Sequence, residues 1–217
     1  RLGRCAARLL AGENVPFRDF ARYLHHDQAT FTHAANVCYY AVLLAAEIGK
    51  PLPDDHFLRG FGMKNQVIIP RILGWSEDPD EIHRYSLRKE ELYREIVRER
   101  GIEPLPGVVA LLQILQEHGV PCAVASSTHR ESSETIFDAI GVREYFAAVV
   151  TAEDVAHGKP DPEVFLKSAE KIGRNPRHCV VFEDAHVGIE AGLAAGAKVI
   201  AVATTNPLYS LGKADLA

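Results

Sequence analysis

Three short segments hold residue types suited to handling a phosphate. Ser126-Ser127-Thr128 supplies hydroxyls, Gly158-Lys159-Pro160-Asp161-Pro162 supplies a lysine, and Glu183-Asp184 supplies adjacent carboxylates. Ser126 and the backbone N–H groups after it can donate to phosphate oxygens where a helix begins. Ser127 belongs to the same set. Lys159 can neutralise the anion as a compact point charge. Glu183 and Asp184 offer hard oxygen ligands of the kind Mg²⁺ takes. Each feature alone has a plainer reading: a serine that only caps a helix, a lysine in water, an acidic pair that is another cap. Their order along the chain and their place after successive apolar runs favour the joint reading.

Those apolar runs are Pro121–Ala125, Phe146–Val150, Cys179–Phe182 and Lys198–Val202. Between and before them the pattern predicts helices over Gly107–His118, Arg130–Ile140, Pro162–Ile172 and Val187–Ala195. Continuous apolar strands alternating with helices of about ten residues indicate βαβ units and a parallel sheet, hence an α/β module. Ligands of such sheets bind beyond the carboxyl ends of the strands, which is where the three segments fall. Ahead of it, residues 33–104 read as helical. Val37, Tyr40, Val42, Leu44 and Ile48 make an apolar face that Gly49 and Pro51 end. Further helices are expected near Asp54–Arg59 and after Gly62, the latter with Val67, Ile68, Ile72 and Leu73 on its apolar positions. The longest is expected from about Ser76 to Arg100. Its acidic start and basic end complement the helix dipole. Asp80–Arg84 and Glu90–Arg94 are expected i,i+4 pairs on a solvated face.

The chain has 217 residues, 47% hydrophobic and 24% charged, with a net charge of −5. There is enough apolar surface for a core, so disorder of the whole chain is excluded. No basic field draws in nucleic acid, and no run of roughly 20 apolar residues spans a bilayer. Cys5, Cys38, Cys122 and Cys179 form no C-x-x-C pair. They suit structural thiols in a reducing compartment.

The segments CAVASSTHRES, HGKPDPEVFLKSAEKIG and CVVFEDAHVGIEAGLAAGAKVIAV resemble the second, third and fourth motifs of the haloacid dehalogenase superfamily. HFLRGFGMKNQVIIPRILG resembles the four-helix cap of its β-phosphoglucomutase-like branch of phosphatases. The resemblance implies a Rossmann-like parallel-sheet core (105–217) with an inserted helical cap (33–104). It implies a Mg²⁺-dependent phosphatase acting on a small phosphorylated metabolite, with β-phosphoglucomutase-like mutase activity as an alternative. Carried over, Ser126 and Lys159 bind the phosphoryl group, Lys159 orients the nucleophile, and Glu183 and Asp184 hold Mg²⁺. Lys64 and Asn65 match the cap loop that touches substrate. GWSEDPDEIHRYSLRKEELYREI and NPLYSLGKADL further resemble plant and algal plastid members assigned to riboflavin synthesis. Those act on 5-amino-6-(5-phospho-D-ribitylamino)uracil. The expected compartment is then the plastid stroma for a photosynthetic source and the cytoplasm otherwise.

The family's first motif, D-x-D-x-[TV], places a nucleophilic Asp and an acid–base Asp at the end of an apolar strand. It should fall within Leu24–Phe31, which reads LHHDQATF. Asp27 is the only carboxylate there, and Ala29 stands where the second Asp would be. Asp27 is therefore the candidate nucleophile, and the first core strand is read as missing or degenerate. Residues 1–32 carry Arg1, Arg4, Arg8, Arg18 and Arg22 against Glu13, Asp19 and Asp27. An Arg-rich transit-peptide remnant is one reading of that stretch, although it holds no Ser. Two expectations follow: a truncated or mis-spliced version of a working phosphatase, or a catalytically dead relative that binds phosphate ligands without turnover.

Overall fold

The computed structural model describes residues 41–204 and 206–215. The chain divides into a helical unit, described over residues 41–61 and Asn65–Glu103, and an α/β unit, Gly62–Lys64 with the chain from Pro104 onward.

In the helical unit, α1 runs through residues 41–48 and buries Ala41, Leu44 and Ala45. Gly49 ends it at φ +65°, a left-handed conformation that costs glycine little. After α2 (His56–Gly60), α3 (Asn65–Val67) passes into a π-helical turn, Ile68–Leu73. Trp75 is buried beside it and donates its indole N–H to Pro51 O at 2.7 Å. The longest helix, α4, spans Pro79–Arg100. Its N-cap is Asp78, whose carboxylate accepts from Asp80 N and Glu81 N at 2.9 and 3.0 Å. Arg88 ties α4 to α1 through Glu47, Nε to Oε1 at 3.1 Å.

The expected charge pairing along α4 is corrected. Arg84 pairs with Glu81, at 3.2 Å, three residues back. Glu90 is turned inward and is 6% exposed. It accepts from Asn65 Nδ2 at 2.9 Å, and the same Nδ2 donates to Ser86 Oγ at 3.0 Å. Lys89 Nζ donates to Asn65 Oδ1 at 2.7 Å. A carboxylate enters a helical interior only with donors waiting for it, and Asn65 provides one of them. Burial lowers the Lys89 pKa and raises that of Tyr93.

The α/β unit alternates helix and strand: α5 (Val108–Glu117), β1 (Cys122–Ala125), α6 (Arg130–Ile140), β2 (Phe146–Val150), α7 (Glu163–Lys171), β3 (Val180–Glu183), α8 (His186–Ala194) and β4 (Lys198–Ala201). Every pairing is parallel, as the apolar runs require. Among the described residues the strands form two pairs. β1 pairs with β2, Ala125 opposite Val150, and β3 pairs with β4, Glu183 opposite Ala201. The expected first core strand and Asp27 lie outside the described residues. One core of Val150, Val164, Phe165, Val181, Ile189 and Val199 takes side chains from both pairs, and α7 and α8 supply its helical members. No helix among the described residues is long and apolar enough to cross a membrane.

Alternation along β3 buries Val181 and leaves Phe182 52% exposed, whereas Phe165 of α7 is 8% exposed. Phe165→Ala is therefore expected to lower stability by about 3–5 kcal/mol. Phe182→Ala should cost roughly 1 kcal/mol, because less than half of its surface is removed from water. Urea unfolding of the two variants checks this. Equal losses would contradict the burial pattern.

Candidate active site

The loop after β1 begins in register with β2, since Ser126 N donates to Val150 O at 2.9 Å. Ser126 Oγ accepts from Thr128 N at 3.0 Å, a local turn that fixes the hydroxyl oxygen beside the end of the strand. Ser127 points its hydroxyl elsewhere and donates to Gly62 O at 2.9 Å. Gly62 has φ +80°, and a Cβ there would lie 2.7 Å from Ala185 Cβ. Only glycine fits that crossing.

The start of α6 is already occupied by an anion from the chain itself. Arg130 N donates to both Glu153 oxygens, at 3.1 and 3.2 Å, and His129 Nδ1 lies 3.3 Å from Oε1. Burial pushes the Glu153 carboxyl up, but these donors outweigh it, and its pKa lies below the ordinary value. With Thr128 N on Ser126 Oγ and Arg130 N on Glu153, the run of N–H groups that the sequence offered to a phosphate is largely spent internally. Glu153 and Asp154 follow β2 in a short turn capped by Thr151, whose N–H donates to Asp154 Oδ2 at 2.7 Å. These two acids cap and brace this edge.

Lys64 lies along the same loop. Its Nζ donates to Ala152 O and Val155 O at 2.9 and 2.8 Å, and burial lowers its pKa. The stem passes so close to Gly158 that a Cβ there would lie 2.8 Å from Lys64 Cγ. Asn65, its neighbour in sequence, is spent inside the helical unit as described.

Lys159 is the centre of the site. Its Nζ donates to Glu183 Oε1 at 2.8 Å and to Ala125 O at 3.3 Å, and it sits 5.0 Å from the centre of the Phe165 ring. The Lys159 and Glu183 side chains are 7% and 12% exposed. A cation is thus held between the carboxyl ends of β1 and β3, on a carboxylate, a carbonyl and an aromatic face. The loop carrying it is clamped from α7. Glu163 accepts from Ala156 N and His157 N at 3.1 and 2.8 Å, and those donors and Lys167 hold its carboxyl down at about 2.

Glu183 closes β3, and Asp184 begins the turn into α8. Glu183 reaches over α8 because Gly188 has no side chain. A Cβ on Gly188 would lie 1.5 Å from Glu183 Oε1. Asp184 is held from further along the chain, by Thr204 and Asn206. Gly188, Glu163, Thr204 and Asn206 carry no signal in the sequence that marks them for the site. The structure brings Ser126, Lys159 and Glu183 to one edge, with Asp184 next in the chain. Ser127 and Lys64 join that edge as braces, and Asn65 does not join it.

The donor set can be tested against the magnesium that the resemblance implies. Glu183 and Asp184 are adjacent hard carboxylates, and Glu183 Oε1 already carries Lys159. No group of three or more His, Cys, Asp or Glu suited to a metal occurs among the described residues. Mg²⁺ commonly takes one or two carboxylates and keeps waters or substrate phosphate for the rest, so the donor set is compatible with it.

Parallel βαβ units with a buried lysine and paired carboxylates at the strand ends define an α/β protein with a charged edge at the carboxyl ends of its strands. The chain belongs to the haloacid dehalogenase-like hydrolases, whose family model matches residues 30–196. Asp27 lies outside the matched residues. The chain is 38% identical over 175 residues to the chloroplastic 5-amino-6-(5-phospho-D-ribitylamino)uracil phosphatase of Arabidopsis thaliana, covering 80% of this chain and 46% of that protein. It is 40% identical over 124 residues to hexitol phosphatase A of Escherichia coli, covering 56% of each. It therefore spans about half the length of the curated relatives it matches. Among solved structures, a β-phosphoglucomutase of Clostridium difficile superposes with a TM-score of 0.74 at 25% identity, covering 84% of this chain and 82% of that one.

Proposed function

We propose that the chain is a Mg²⁺-dependent phosphatase of small phosphorylated metabolites. The observation that carries this is the Lys159 ammonium, buried between Ala125 O and Glu183 at the ends of β1 and β3. A buried cation at that edge neutralises a phosphoryl group entering beside it, and the Ser126 hydroxyl donates to one of its oxygens. Asp184 and Glu183 hold Mg²⁺, which when bound supplies charge neutralisation to the phosphoryl oxygens. Asp27 is the candidate nucleophile: its carboxylate would bond to phosphorus as the ester P–O bond breaks and the alcohol leaves with a proton from solvent, and water would then hydrolyse the aspartyl phosphate to free phosphate and restore the carboxylate. Lys64 and Ser127 act by fixing the loops rather than by touching substrate, and Asn65 acts inside the helical unit.

The substrate class follows the relatives: polyol-type phosphates, with ribitylaminouracil phosphate first, and the plastid as the compartment for a photosynthetic source. Phosphate release is to be measured on ribitylaminouracil phosphate and hexitol phosphates, with and without Mg²⁺. Release should be metal-dependent and fall by roughly 10²–10³ in Asp184→Asn, the scale for loss of a preorganised charge-stabilising group. Unchanged release in that variant would sink the reading. A second reading, phosphate binding without turnover, is favoured by the single carboxylate in Leu24–Phe31. A thermal shift with inorganic phosphate and no release from any substrate would select it.

A further inference from the structure

Asp184 is gripped by a segment twenty residues away. Val202 N donates to Glu183 O at 2.9 Å, which carries the β3–β4 register one step past the strands. Two residues on, Thr204 Oγ1 donates to Asp184 Oδ2 at 2.5 Å, while Thr204 N returns to Val202 O at 2.9 Å. Two further on, Asn206 Nδ2 donates to Asp184 O at 2.9 Å. Alternate residues of one segment thus hold the β3 end, the Asp184 carboxylate and the Asp184 carbonyl. The 2.5 Å separation is that of a charge-assisted O–H···O⁻ bond, stronger than a neutral one.

The bond does more than satisfy the threonine. Thr204 is only partly buried, and its hydroxyl is committed to the Asp184 carboxylate. A carboxylate on two rotatable bonds presents its oxygens in one direction only when something stops its rotation. Groups that hydrogen-bond a ligating carboxylate do this for metal sites. We infer that Thr204, braced by Asn206, is a positioning residue that sets the orientation of Asp184 for a divalent cation. The inference rests on the reading of Asp184 as the carboxylate that holds Mg²⁺.

The test uses Mn²⁺ alone as the probe. It is titrated into the full chain, and free ion is read by its electron paramagnetic resonance signal. The parent chain should bind Mn²⁺, and Asp184→Asn should abolish that binding. Thr204→Val, which keeps the shape and removes the hydroxyl, should weaken binding by about tenfold or more, the scale for outer-shell partners of a metal site. Thr204→Ser, which keeps the hydroxyl, should stay within about twofold of the parent on the same scale. Thr204→Ala repeats the loss with a smaller side chain if the valine variant does not fold. Parent-like Mn²⁺ affinity in Thr204→Val or Thr204→Ala would overturn the inference while the metal reading stood. Weakening in Thr204→Ser equal to that in Thr204→Val would assign the effect to packing and overturn it too. No binding by the parent chain, or parent-like binding by Asp184→Asn, would overturn the metal reading and the inference with it.

Discussion

Glu183→Ala should lower the unfolding free energy by about 3–5 kcal/mol, the range for removing one partner of a buried ion pair. The reason is the lysine left behind. Lys159 has 7% of its side chain exposed and gives its shortest hydrogen bond to Glu183 Oε1, at 2.8 Å. Without the carboxylate, the ammonium keeps only Ala125 O at 3.3 Å and the Phe165 ring. A carbonyl and an aromatic face offset only part of the desolvation of a full charge. The loss belongs to the stranded charge and not to the absent carboxylate, so a double variant separates the two. Lys159→Met with Glu183→Leu removes both charges and keeps apolar volume, and it should recover most of the stability, because well-packed apolar residues often replace a buried pair at no net cost. Turnover should be lost in both. Urea unfolding of the parent, the two single variants and the double variant gives the coupling energy directly. Additive losses would show that Lys159 and Glu183 do not act as a pair.

The residues at the ends of strands were the legible part of this site. Ser126, Lys159, Glu183 and Asp184 can be read because each follows an apolar run, and the α/β layout fixes which edge those ends share. The basic end of α4 at Arg100 was readable because it is a local signal, whereas its start reads three residues early, at Ser76 rather than Pro79. What escaped the sequence is everything decided by a partner distant in the chain. Glu90 looks like one of many charges on a long helix, and the Asn65 amide, 25 positions earlier, is one of the donors that make an inward carboxylate tolerable. Glu153 looks like a spare acid at a strand end until Arg130 N is found on it. Which strand pairs with which was also not written in their composition, since apolar runs specify parallel pairing but not which neighbours pair. Lys64 and Asn65 illustrate the limit of a motif. Adjacent in a loop that resembles a substrate-contacting segment, they anchor to different units of the chain.

Gly188→Ala is a substitution whose sign should depend on one other residue. Inside a helix alanine normally stabilises relative to glycine by up to about 1 kcal/mol, and Gly188 lies in the first turn of α8. At position 188 the new Cβ would lie 1.5 Å from Glu183 Oε1, 2.2 Å from Cδ and 2.4 Å from Cγ. No small adjustment of α8 relieves three such contacts, so the carboxylate must leave its seat. Leaving it breaks the bond to Lys159 and strands the same ammonium that Glu183→Ala strands. Gly188→Ala in the parent chain should therefore cost a few kcal/mol, near the range for a broken buried pair, with loss of any Mg²⁺-dependent phosphate release. In a Glu183→Ala background the obstructing side chain is gone. The same substitution should then be neutral or stabilising by up to about 1 kcal/mol, the ordinary helix preference. Urea midpoints of the four chains decide the matter. A similar cost in both backgrounds would mean that Gly188 is required by α8 itself, and a gain in both would mean that Glu183 does not lie over it.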